Sequence, residues 1–430
     1  MQPWDPFVVF RGARRPVWIA LSLLILGLQG PGFLASLAPD PQAGGDFFQE
    51  WASARNRLED LPVYTDLRVT VLRYLGRPLP PGHAYRISVN AHPPTSVLLA
   101  LPLAVLDYAT ATIVWNLLSL IALGVSLALI IRQWQLPFRP WMLLPIVALG
   151  LVCAPLRQQV NHAQLNLVLL LLITGAWVAD RRGFAGWTGR LLAAATAIKL
   201  FPGFLFVYFM LRRRWDVVRA GLAAWLLIMG VTWLVLGSEP FVTYTREVLP
   251  RVAGFCAAWN NASLAGFWCK LLAVPPGVDR AGMPIEPLAY LPGLARAGWV
   301  ASAGAVLLLL GRSVVRARDI PAGDRAFGLA LVAMLLVSPL TWEHYFLLLL
   351  LPVLVVWTHL PASTLARAGF LGVLAALSID LVWLYRVFIP GGFPNGQAGP
   401  LQTLTVLSLQ CYALLGLFAF LAQPPRAQEG

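Results

Sequence analysis

Charge is scarce in this sequence. Only 12% of its 430 residues are Asp, Glu, Lys or Arg, about half the share of roughly 25% found in soluble domains, and that excludes a soluble fold of this length. Cysteine is also rare, with Cys153, Cys256, Cys269 and Cys411 alone. Four scattered thiols exclude a disulfide framework or a Cys-rich metal cage, although Cys256 and Cys269 share one loop and are spaced for a single bridge. Acidic residues number 19 against 32 Lys and Arg.

What is abundant is apolar sequence. Val17 to Leu37, Val217 to Leu236 and Ala297 to Gly311 are long and uniform enough for helices that cross a bilayer, for which roughly 20 residues suffice. The net charge of +13 would suggest nucleic acid in a soluble chain. Here the basic residues flank apolar runs: Arg11, Arg14 and Arg15; Arg181 and Arg182; Arg212 to Arg214; Arg312, Arg316 and Arg318. That is the pattern of cytoplasmic membrane edges, and it makes membrane lipids rather than nucleic acid the partner. The first run is longer than a signal-peptide core and lacks a cleavage pattern, so it is read as a retained first helix.

The expectation is an all-α polytopic membrane protein with about 11 membrane helices, roughly 10 to 13, some broken or short. One domain spans residues 1–422, followed by a disordered tail at 423–430. Residues 39–94 form a first outer loop, in which Phe47, Trp51, Ala54 and Leu58 recur at helical spacing and predict a helix lying on the bilayer surface. A second outer loop covers 237–287, and later spans fall near Leu288 to Gly311, Leu365 to Tyr385 and Leu401 to Leu421. Two apolar segments are broken by proline, at Lys199 to Pro202 and at Ser338 to Glu343, and each has basic residues at both ends. A hairpin of helices, its turn at the outer side, keeps both clusters on one face, and broken membrane helices mark wet cavities.

Ionisable residues at a membrane edge are costly and therefore candidates for function. This topology gathers Asp46, Gln164, Asn166, Lys199, Asn260, Asn261, Lys270, Glu343 and His344 near the outer face. The motifs that hold them are GGDFFQEW from Gly44 to Trp51, HPP from His92, HAQLN from His162, AIKLFP from Ala197, NNASLAG from Asn260 and SPLTWEHY from Ser338. In this order they resemble glycosyltransferase family 87, the polyprenyl-phosphate-mannose-dependent mannosyltransferases of the GT-C superfamily. The likeness spans most of the chain. It departs from the family pattern at His92, at Asn261-Ala262-Ser263 and at Lys270.

The resemblance implies a GT-C-like fold in a bacterial plasma membrane, a polyprenyl-phosphate sugar donor, transfer of a hexose, mannose by the family's pattern, and a lipid or glycan acceptor. It also implies inversion with Asp46 as general base, assisted by His344. Lys199, Gln164, Asn166, Asn260, Asn261, Lys270 and Glu343 are the matching substrate or phosphate contacts, with Arg246 and Arg251 as further cations. Each has a plainer alternative. Asp46 with Gln49 fits a helix capping box, His344 an aromatic belt, Lys199 a snorkelling side chain, Gln164 and Asn166 packing between helices. Glu343 either orients His344 or faces water. Asn261 also opens a glycosylation acceptor triplet. No Gly-rich phosphate loop or Asp-x-Asp pair marks a nucleotide-sugar site, which favours a lipid-carried donor; no cofactor or metal is expected, with a divalent ion left open. A secondary transporter or lipid flippase is the alternative of another class.

Overall fold

The computed structural model describes residues 12–39, 45–78, 89–275, 284–360, 363–392 and 396–423. Arg11, Gly44, parts of both long loops and the tail beyond Gln423 lie outside these. The described residues are helical throughout, with no strand among them.

The first helix, α1 (Arg15–Ala35), buries only Ser22 and turns Leu23, Leu24, Leu28 and Leu34 outward. A helix apolar all round and uncovered by protein belongs in hydrocarbon. After it come α2 (Phe47–Leu58), α3 (Leu67–Leu75), α4 (Pro94–Ala100) and the long α5 (Tyr108–Gln133). Asp107 caps α5 by accepting from the Thr110 amide at 3.0 Å, so the interruption at Asp107-Tyr108 is a true helix boundary.

The helix over Phe47–Leu58 forms, and it is packed within the protein rather than laid down with one open face. Phe47, Phe48 and Ala54 are fully buried and Trp51 nearly so, and the polar face is covered too, with Glu50, Ser53 and Asn56 buried. Phe47 stacks on Trp115 of α5 at 5.2 Å and Phe48 meets Tyr108 edge-on at 5.1 Å. Both faces of α2 are therefore used inside the protein, which an amphipathic reading of one face does not show.

Next are α6 (Leu143–Val152), α7 (Ala154–Asn161), α8 (Asn166–Arg181), α9 (Ala185–Ile198), α10 (Leu205–Leu211) and α11 (Trp215–Leu236). Beyond α11 stand α12 (Glu239–Thr243), α13 (Leu249–Ala253) and α14 (Leu264–Leu272), then α15 (Pro292–Arg316), α16 (Ile320–Val337), α17 (Leu350–Thr358), α18 (Thr364–Ser378), α19 (Leu381–Phe388), α20 (Pro400–Leu404) and α21 (Leu409–Ala422). Six described helices are long and apolar enough to span a membrane, or up to eight spans if the two sharply bent pairs each count as one. That is fewer than the about 11 expected, because several apolar runs are too short or too bent to cross alone. Three shorter apolar segments, Pro94–Leu103, Phe201–Leu211 and Glu343–Thr358, supply the broken or short elements. The span expected over Leu365 to Tyr385 is one of the bent pairs: α18 and α19 meet at 90°, where Asp380 caps α19.

Both proline-broken segments fold back as hairpins. Lys199 is extended (φ −139°, ψ 137°) and ends α9, a 3-10 turn runs from Phe201 to Phe204, and α10 returns. In the second, Ser338 leaves α16 for extended backbone because Pro339 disfavours the helical region before it. A 3-10 turn over Glu343–Leu349 then leads into α17. The feet of both hairpins meet at one end of the bundle, where Arg214 pairs with Asp180 at 2.9 Å and Arg181 with Asp324 at 2.6 Å. Their turns meet at the other end, where Phe201 stacks on Tyr345 at 4.8 Å. A close crossing of α9 and α11 fixes the first hairpin: a Cβ on Gly189 would lie 2.3 Å from the Val217 carbonyl oxygen and 2.6 Å from the Gly221 nitrogen.

Candidate active site

The turns of the two hairpins enclose a polar cluster around the start of α2. Asp46 occupies the position before that helix, yet its side chain makes no capping bond. Its backbone is helical (φ −61°, ψ −30°), whereas a cap needs extended backbone to swing its oxygen over the helix end. Gln49, the other half of the expected capping box, accepts instead from the Ala91 amide at 3.0 Å. The Phe47 amide is satisfied by the His162 carbonyl at 3.2 Å. Freed from capping, the Asp46 carboxylate accepts from the Gln164 side-chain amide and lies 4.0 Å from His162 Nδ1. It is about one-third exposed, at 35%, so it is both held and reachable.

Gln164 is nearly buried and links Asp46 to Lys199, whose Nζ donates to its Oε1 at 2.9 Å. Lysine has only donors, so the amide must turn its oxygen to Lys199 and its NH2 to Asp46. Lys199 also donates to Asn166 Oδ1 at 3.3 Å and sits 4.7 Å from the centre of the Tyr345 ring. Gln164 and Asn166 both reach it because the chain between them is irregular. Ala163 adopts a left-handed φ of 47°, uncommon for a residue with a Cβ, and α8 begins only at Asn166.

Sequence reasoning missed Glu50 and used His92 and His162 only as motif letters. Glu50, 1% exposed, is hydrogen-bonded to His92 Nδ1. Its spacing of four from Asp46 puts both carboxylates on one helix face, the signal that would have found it. Lys199 feels the field of both.

His344 is buried, its ring edge-on to Tyr345 at 5.0 Å, and it lies within electrostatic reach of Lys199, His162 and His92. Its Nε2 is buried and has no hydrogen-bond partner among the described residues, where most buried polar atoms are paired. Glu343 does not orient it. The Glu343 carboxylate faces away, toward Asp380 and Gln410, because successive residues of the 3-10 turn point about 120° apart.

Two other expected contacts serve the scaffold. Lys270 is fully buried and donates to the carbonyls of Trp259, Asn261 and Leu407 at 3.2, 3.0 and 2.7 Å. All three of its protons are used, leaving none for a phosphate. Burial lowers its pKa to about 8. Asn261 is buried with four bonds: it donates to the Cys256 and Pro339 carbonyls and accepts from the Ser263 and Thr341 amides. It ties the long loop beyond α11 to the second hairpin turn, and its side-chain nitrogen is already used by both carbonyls. Asn260 beside it is only partly buried. A Cys256–Cys269 disulfide closes the same loop. Arg246 and Arg251 are exposed on that loop, Arg251 with Glu247 at 3.4 Å. Of the cations considered, Lys199 is the one inside the cluster. No group of three or more His, Cys, Asp or Glu suited to a metal ion occurs among the described residues.

The pattern of glycosyltransferase family 87 matches residues 90–339. This chain belongs to that family. It is a membrane glycosyltransferase, which decides against the transporter or flippase alternative. Among curated proteins it is similar to a polyprenol-phosphate-mannose-dependent alpha-(1-2)-phosphatidylinositol pentamannoside mannosyltransferase of Mycolicibacterium smegmatis, 27% identical over 76% of each chain. Two polyprenol-phosphate-mannose-dependent alpha-(1-2)-phosphatidylinositol mannoside mannosyltransferases are also similar. That of M. smegmatis is 28% identical over 59% of this chain and 54% of its own. That of Mycobacterium tuberculosis is 26% identical over 62% and 61%. No solved structure matches. The family-87 match covers His92, His162, Gln164, Asn166 and Lys199 but not Asp46, Glu50 or His344. Those three reach the cluster through α2 and the second hairpin.

Proposed function

We propose that this family-87 enzyme transfers a mannosyl group from a polyprenyl-phosphate donor to a hydroxyl of a lipid-linked glycan, on the outer face of a bacterial plasma membrane and with inversion. The observation that carries the reading is the connected path from the Asp46 carboxylate through the Gln164 amide to the buried Lys199 ammonium. It sets a proton acceptor and a positive charge at the two ends of one hydrogen-bonded cluster. The acceptor hydroxyl gives its proton to Asp46 while its oxygen bonds to the anomeric carbon. The anomeric carbon–phosphate oxygen bond breaks, and the electron pair leaves with the polyprenyl phosphate. Lys199, with His344, faces the charge that grows on that phosphate, the role preorganised donors fill where negative charge develops. The relatives' names support mannose and a phosphatidylinositol mannoside type of acceptor.

The test is Asp46→Asn in purified protein with labelled polyprenyl-phosphate mannose and candidate glycolipids. The rate should fall by about 10² to 10⁴, the usual contribution of a general base, and the product should carry the anomeric configuration opposite to the donor's. An unchanged rate refutes the role of Asp46, and a retained configuration refutes inversion.

A further inference from the structure

Away from the polar cluster, at the arginine-rich end where both hairpins have their feet, lies a cavity of about 240 Å³. Its wall joins the end of α8, the end of α10 and the start of α16. The charges on that wall do not cancel. Asp324 accepts from Arg181 at 2.6 Å and from the indoles of Trp134 and Trp177. Asp180 accepts from Arg214 at 2.9 Å, and Asp319 is occupied by capping the Ala322 amide at 2.7 Å. Arg212 and Arg318 are therefore left without a carboxylate partner, and four arginines face three aspartates across this wall, a surplus of one positive charge. Arg212 spends one donor on the Tyr208 hydroxyl at 2.8 Å, out of the five a guanidinium carries. Arg318 is exposed and has no hydrogen bond or ion pair among the described residues.

We propose that this cavity binds a phosphate-bearing anion, held between Arg212 and Arg318. Guanidinium forks match phosphate oxygens in pairs, and the volume suits a small headgroup rather than a drug-sized ligand. The phosphate can come from an anionic lipid of the adjoining leaflet or from solution. Exposed Leu211, Trp215 and Ile320 beside the cavity place it against hydrocarbon, which gives a lipid a direct route in. A bound phosphate bridges α10 to the chain entering α16, so it ties together the feet of the two hairpins whose turns carry Lys199 and His344.

The full chain, purified in a neutral detergent, is to be exposed to phosphatidylglycerol, phosphatidylcholine or inorganic phosphate, with lipid retention read by native mass spectrometry and stability by thermal unfolding. Phosphatidylglycerol should be retained over phosphatidylcholine and should raise the unfolding temperature. Arg318→Gln should weaken retention about tenfold, the effect of one charge-assisted hydrogen bond. Arg212→Gln should do the same, while Arg316→Gln, exposed nearby but not on the cavity wall, should retain the lipid as the parent does. If inorganic phosphate alone protects the protein and Arg318→Gln abolishes this, the site stands with a soluble source. Equal retention of the two lipids without phosphate protection overturns the proposal. So does equal loss in the Arg316 and Arg318 variants, which would mean diffuse charge attraction. None of these readouts depends on transferase activity.

Discussion

Lys199 Nζ lies 2.9 Å from Gln164 Oε1, and the same amide donates to Asp46. A buried ammonium is thus oriented by two amide oxygens and an aromatic ring and touches no carboxylate among the described residues, which leaves its charge available for a substrate.

Lys199→Met should therefore separate activity from stability. Losing the cation that faces the departing phosphate should lower kcat by about 10² or more. Thermal stability should fall only modestly, because relief of the desolvation cost of a buried charge offsets part of the loss at the buried Gln164 and Asn166 oxygens left without a donor. A large drop in the unfolding temperature together with normal kcat would show Lys199 to be structural.

Asn261→Ala removes two donors from buried carbonyls and one acceptor shared by two amides. The cost should be about 2–4 kcal/mol, because the backbone groups left behind stay buried without partners. Chemical denaturation in detergent reads the stability. In a host with asparagine-linked glycosylation the parent protein should show no mass shift at this position.

Lys270 gives a pH signature. Its pKa falls from 10.5 to about 8 on folding, so between those values the unfolded chain holds more protons than the folded one. Its contribution to stability consequently rises with pH across that window. Lys270→Met should flatten the rise in unfolding temperature between about pH 8 and 10.5; an unchanged profile would count against burial as the cause.

Gly189→Ala tests the scaffold at a distance from the chemistry. The added methyl would meet backbone of α11 on two atoms, and backbone cannot rotate aside as a side chain can. The helices must part, at a cost of about 1–3 kcal/mol. Because α9 ends at Lys199, activity should fall along with the unfolding temperature.

Much of the molecule was legible in the sequence because bilayers impose simple demands. Apolar length, basic edges and proline breaks are local properties, and they located the spans and both hairpins. The site residues were legible only as a set. Asp46, Gln164, Asn166, Lys199 and His344 do converge, while Lys270 and Asn261, in the loop beyond α11, are consumed by backbone groups. Motif position cannot distinguish a lysine that faces a cleft from one that faces three carbonyls. The capping reading of Asp46 failed for a similar reason. Its outcome depended on one backbone angle, and the Phe48 and Gln49 amides that a cap would have bonded go to the carbonyls of Gly45 and Asp46 instead.

The sequence by itself determined that the chain is an all-helical membrane protein with folded-back helix pairs, since hydrophobic run length and proline act on a segment without reference to the rest of the molecule. Only the tertiary structure decided that α2 is buried on both faces, that Glu50 joins the site through His92, and that Glu343 parts company with His344. Each of those depends on which segments, distant in the chain, come to lie against one another, and hydrogen-bond partners are allotted only then.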